Sequence, residues 1–153
     1  MNLTKLEAKR LFAESSDWVK EKLIEEFGAN SFKVKEYENI KTFDDACRVY
    51  GTTEAESNEK FSKLGLDNDT LNYEKAKIVT KAIRGDWEPN WKNSNQEKWI
   101  PIFNLSSGFS FSNSDYYYDN TDTTVGSRLC FETSEQSDYA GKQFLSIYKD
   151  LLT

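Results

Sequence analysis

The sequence contains no histidine. Imidazole as general base, proton shuttle or metal ligand is thereby excluded, and Ser–His and Cys–His nucleophiles go with it. Cysteine is scarce: Cys47 and Cys130 stand 83 residues apart, match no zinc spacing and read as reduced thiols of a cytoplasmic protein. No apolar run approaches the roughly 20 residues that cross a bilayer, and the N-terminus lacks the basic-then-apolar layout of a signal peptide. No Walker loop, dinucleotide fingerprint, internal repeat or flexible linker occurs. What remains is 153 residues, enough for one compact domain with a real core. Only 37% are apolar, but 22 aromatic side chains (10 Phe, 4 Trp, 8 Tyr) supply burial area that argues against disorder.

The net charge of −6 is unevenly spread. Residues 1–85 carry 15 basic and 16 acidic side chains, whereas residues 86–153 carry 5 and 10, a net of −5. From Ile100 to Gly141 the sole cation is Arg128. A duplex-binding surface needs clustered Lys and Arg to displace counterions from phosphates, so no duplex nucleic acid partner is expected.

The first third reads as helical. Leu3, Leu6, Phe12, Val19, Leu23, Ile24 and Phe27 recur at helical steps, Ser15-Ser16-Asp17 suggests a break, and Gly28 a stop. Phe32–Lys35 alternates like a short strand. Thr42 with Asp45, and Thr53 with Glu56, are capping-box patterns opening short helices that end at Gly51 and Gly65. Asp67 to Asp69 can cap a helix over about 70–84 whose apolar stripe is Leu71, Ile78, Val79, Ala82 and Ile83, closed by Gly85. Strands are expected at Ile100–Phe103, Phe109–Phe111 and Val125–Phe131, with 112–124 a polar loop or a wet hairpin face. From Ser134 a single last helix follows, with Ala140, Phe144, Ile147, Tyr148, Leu151 and Leu152 on one face. The reading is α+β: a helical region 1–66, then a region 67–153 with an antiparallel sheet of three to four strands covered by a C-terminal helix. The two regions are expected to pack as one compact domain.

Candidate chemistry is sparse. Asp115, Asp119 and Asp122 lack the alternating order and distal glutamate of a calcium loop and read as polar turn, so no metal site and no cofactor is expected. Asp86, Glu88 and Glu97 lie near tryptophans, where a sugar could stack between paired acids, but exposed carboxylates are the plainer reading. Ten aromatic residues fall between Asp86 and Phe131. They suit a core, yet the rings of Tyr116, Tyr117 and Tyr118 cannot all point inward on a strand. An exposed ring stacks a flat base or sugar, and an arginine fork holds a phosphate or carboxylate. Trp87, Trp91, Trp99 and Tyr117 are therefore candidate stacking residues, with Arg128 the candidate anion contact, helped by Ser127 or Lys98.

Several motifs carry a resemblance. They are Asp86-Trp87-Glu88-Pro89-Asn90-Trp91, Lys98-Trp99-Ile100-Pro101 with Phe103, Gly126-Ser127-Arg128-Leu129-Cys130-Phe131 and Tyr139-Ala140-Gly141-Lys142-Gln143-Phe144. Through them Tyr73–Leu152 resembles a family of uncharacterised proteins carried by phages, prophages and mobile elements of Bacteroides-type gut bacteria, and Thr42–Cys47 fits the upstream part. The resemblance implies a small soluble accessory protein acting in the cytoplasm of a bacterial cell. Such proteins work by sequestering a nucleotide immune signal, by blocking a host enzyme, or as part of the particle.

Three functions follow as expectations. The first is a non-catalytic binding protein that sequesters a small, nucleotide-like ligand, with an anti-defence role. The second is a protein-interaction module that inhibits a host factor through acidic and tyrosine-rich residues 112–124. The third is a carbohydrate-active enzyme using Asp86, Glu88 or Glu97.

Overall fold

The computed structural model describes residue 3 and residues 5–28, 35–117 and 127–153. Contacts divide the chain into two units, Met1–Lys35 and Glu36–Thr153. In the first unit helix α1 (Lys5–Glu14) meets α2 (Asp17–Phe27). The break falls at the serine pair, where the Ser15 hydroxyl turns back to donate to the Leu11 carbonyl at 2.5 Å. Gly28 stops α2 at a φ of 80°, its N–H closing on the Ile24 carbonyl. The strand expected at Phe32–Lys35 lies, but for Lys35, outside the described residues.

The second unit opens with a 3₁₀ turn at Glu36–Asn39, then α3 (Phe43–Arg48), α4 (Glu54–Leu64) and α5 (Asn68–Arg84). Both capping boxes form: Thr42 exchanges bonds with Asp45, and Thr53 with Glu56. They satisfy helix-end N–H groups that would otherwise have no partner. Asp67 caps α5 by accepting from the Thr70 N–H at 2.7 Å. Strands β1 (Lys98–Asn104) and β2 (Ser110–Tyr117) pair antiparallel, with Trp99 opposite Tyr116 and a bulge at Ile102/Phe103. Helices α6 (Ser134–Gln143) and α7 (Leu145–Leu152) complete the unit.

The class is α+β, but two details of the expected sheet and cover are corrected. Among the described residues the sheet has two strands, not three to four. Of the third strand expected over Val125–Phe131, Val125 and Gly126 lie outside the described residues, Ser127–Leu129 is a 3₁₀ turn, and among the described residues of the segment only Phe131 joins the sheet, exchanging both backbone bonds with Trp99. The last helix is two helices. Phe144 leaves helical geometry (φ −109°, ψ 31°) and buries its ring, so the apolar period runs on across the break.

The core gathers Ile40, Ala46, Val79, Ile83, Phe131, Ala140, Phe144 and Tyr148, with the Phe103 ring tilted against Tyr148 at 4.9 Å between centroids. A fully buried ring such as Phe131 contributes on the order of 2–3 kcal/mol of transfer free energy. Helix α6 lies against the hairpin at Gly141, where a methyl group would meet the Phe111 ring.

A cationic cleft beside helix α5

Helix α5 has two working faces. Ala76, Val79, Thr80 and Ile83 are buried in the core. Lys77, Lys81 and Arg84, spaced by four and then three residues, form one row on another face. Gly85, at a φ of 64°, ends the helix, and the chain doubles back so that the Glu88 carboxylate reaches Arg84 Nη2 at 2.7 Å. Arg84, 8% exposed, also directs Nη1 at the carbonyls of Arg128 and Cys130, each at 3.4 Å. One guanidinium thus ties the end of α5 to the 3₁₀ turn and places Arg128.

Tyr50, Lys77, Lys81, Arg84, Trp91 and Arg128 line a cleft of about 810 Å³, with Glu74 and Glu88 on its walls. That volume lies in the range of small-molecule sites. Glu74 is paired with Lys77, and Glu88 with Arg84. Lys81 and Arg128 have no carboxylate partner among the described residues, so the cleft carries excess positive charge in a chain of net charge −6. The Lys81 ammonium lies 6.0 Å from the centre of the Tyr50 ring. Burial pushes the Tyr50 phenol up to about 12, so it remains a neutral donor at physiological pH.

The sequence-predicted residues do not meet at one place. Trp91 and Arg128 share this cleft. Trp87 lines a second cleft, of about 860 Å³, which shares Arg84 with the first. Trp99 lines neither: it packs at the margin of the core, 4.7 Å from Tyr116, and donates its indole N–H to Glu97. Lys98 is fully buried. Its ammonium donates to the carbonyls of Gln96 (3.0 Å) and Asn93 (3.4 Å) and lies 5.2 Å from the centre of the Trp91 ring. The assignment of Lys98 as an anion contact gives way to a scaffold role: it holds the 90–97 loop together and backs the Trp91 indole. The side chains of Tyr117 and Ser127 lie outside the described residues.

Sequence reasoning missed Tyr50, Lys77, Lys81 and Arg84. The three cations were visible as a helical row in the segment whose apolar stripe was read, whereas nothing local to Tyr50 brings it beside α5. Among the carboxylates considered for sugar chemistry, Glu88 is committed to Arg84 and Glu97 accepts from Trp99. Comparison of the chain with models of known families, with curated proteins and with solved structures finds no match. Among the described residues no helix is long and apolar enough to cross a membrane.

Proposed function

We propose that this chain is a non-catalytic binding protein that sequesters a small, nucleotide-like ligand in the α5 cleft, as a phage-type accessory factor with an anti-defence role in the bacterial cytoplasm. One observation carries the reading: two aromatic rings, Tyr50 and Trp91, stand with Lys81 and Arg128 around one cavity of about 810 Å³. The rings suit a base, and the ammonium and guanidinium suit its phosphate. Neither cysteine is accessible as a nucleophile, since both thiols are buried, and burial pushes Cys47 up. Sequestration needs only affinity, so the absence of imidazole from the chain is no handicap.

Isothermal titration against linear and cyclic nucleotides tests this. Trp91→Ala removes a stacking surface worth about 1–3 kcal/mol and should weaken binding roughly 5- to 150-fold. Arg128→Gln should weaken it about tenfold and flatten its dependence on salt. Trp99→Phe, outside the cleft, should leave affinity unchanged. No heat from any nucleotide, with the fold intact by circular dichroism, overturns the reading.

A further inference from the structure

The second cleft, on the other side of Arg84, has the opposite electrostatic character. Its floor is apolar, made by buried Ile40 and Ile83, and the half-buried indole of Trp87 forms a wall. Glu36, Asp86 and Glu132 stand exposed around it, and none has an ion-pair or hydrogen-bond partner for its carboxylate among the described residues. Asp45, also on the rim, is spent capping α3. The two cations present are neutralised from outside: Arg48 by Asp44 at 2.6 Å, and Arg84 by Glu88 at 2.7 Å. The cavity of about 860 Å³ therefore presents apolar surface under three uncompensated negative charges.

The Trp87 indole already accepts a guanidinium, since Arg84 lies 5.9 Å from its ring centre. Apolar floor, indole wall and acidic rim together match an arginine or lysine beside an apolar residue of a partner chain.

We propose that this cleft docks a basic, partly apolar segment of a partner protein, with the basic side chain against Trp87 and under Glu36, Asp86 and Glu132. The inference does not depend on the contents of the first cleft. A small molecule held beside Trp91 and a protein gripped beside Trp87 would make the chain two-sided, with Arg84 as the common wall.

The test is an NMR titration of the full chain with acetyl-Leu-Arg-amide against acetyl-Leu-citrulline-amide, which keeps the shape and loses the charge. The arginine peptide should move the Trp87 indole N–H saturably and leave the Trp91 indole in place, and citrulline should move neither. The combined variant Glu36→Gln, Asp86→Asn, Glu132→Gln should weaken the arginine peptide about tenfold, a few-fold for each exposed charge. Should that variant fold poorly, raising salt from about 20 to about 300 mM on the unmodified chain should give a several-fold loss. Equal shifts with citrulline, no saturable shift, or indifference to both charge removal and salt each overturn the proposal. A nucleotide moving Trp91 alone would leave it untouched, so the two clefts fail or succeed separately.

Discussion

The contact between α6 and the hairpin should tolerate no side chain at position 141. A Cβ built on Gly141 would lie 2.4 Å from Cδ2 and 2.7 Å from Cε2 of Phe111, and 3.0 Å from Cβ of Pro101. Carbon atoms in good contact sit about 3.5–4.0 Å apart, so the Phe111 ring would have to retreat by about 1 Å. Its freedom is limited, because it packs edge-on to Phe103 and carries the Lys142 ammonium over its face. Overpacking of this kind costs about 1–3 kcal/mol. Against it stands the helix propensity that alanine gains over glycine, about 1 kcal/mol. Towards the upper part of that range the steric cost wins, and Gly141→Ala should lose about 1–2 kcal/mol. With a urea slope of about 1–3 kcal/mol/M this lowers the unfolding midpoint by roughly 0.3–2 M. In a Phe111→Ala background the two ring contacts are gone and only the 3.0 Å approach to Pro101 Cβ remains, so the same change should cost at least about 1 kcal/mol less than in the parent. A Gly141→Ala protein as stable as its parent, or an equal loss in both backgrounds, would refute the reasoning.

Two further outcomes follow from the polar framework. Arg84→Met should cost about 1–3 kcal/mol in urea unfolding and shift the Arg128 and Cys130 amide signals, because Glu88 is exposed enough to hydrate whereas the two carbonyls lose their donor. Arg84→Lys should not restore those signals, since one ammonium cannot span three acceptors. Asp44, Asp45, Glu56 and Asp67 are all held below the usual carboxylate range, by bonds from the Glu54 N–H, from Thr42, from the Thr52 hydroxyl and from the Thr70 N–H respectively. With folded values below unfolded ones, their contribution is complete above about pH 4.5 and drains away as pH falls through the folded values. Asp67→Asn retains a capping oxygen but removes one titration, so urea midpoints should fall less steeply between about pH 4.5 and 2 than in the parent; an identical slope would count against the capping account.

Elements set by neighbours within four residues were legible in the sequence. The two capping boxes, the Asp67 cap and the stops at Gly65 and Gly85 are satisfied locally, and the helices they bound lie where those signals stand. What failed was set from afar. The Ser127–Leu129 turn replaces an expected strand, and its backbone carbonyl at Arg128 is taken by Arg84, 44 residues earlier in the chain. The division at Phe144 leaves no mark on periodicity, because Ala140, Phe144 and Tyr148 all stay buried through the bend.

The site was half legible for a related reason. Aromatic residues announce themselves, but the wall each joins depends on which cation backs it. Lys98 and Arg84 settle the matter: one lies over Trp91 and the other over Trp87, and these two tryptophans, only four residues apart, line different clefts. Read as sequence, Lys98 is a helper to Arg128 at an anion and Arg84 goes unremarked; in the structure both are buried and both organise loops through backbone carbonyls. A buried cation needs carbonyl or carboxylate partners converging from separate segments, and such convergence leaves no trace in local spacing. On the binding reading proposed above, the cations that would meet a ligand are accordingly Lys81 and Arg128, the two of the cleft that no carboxylate among the described residues claims.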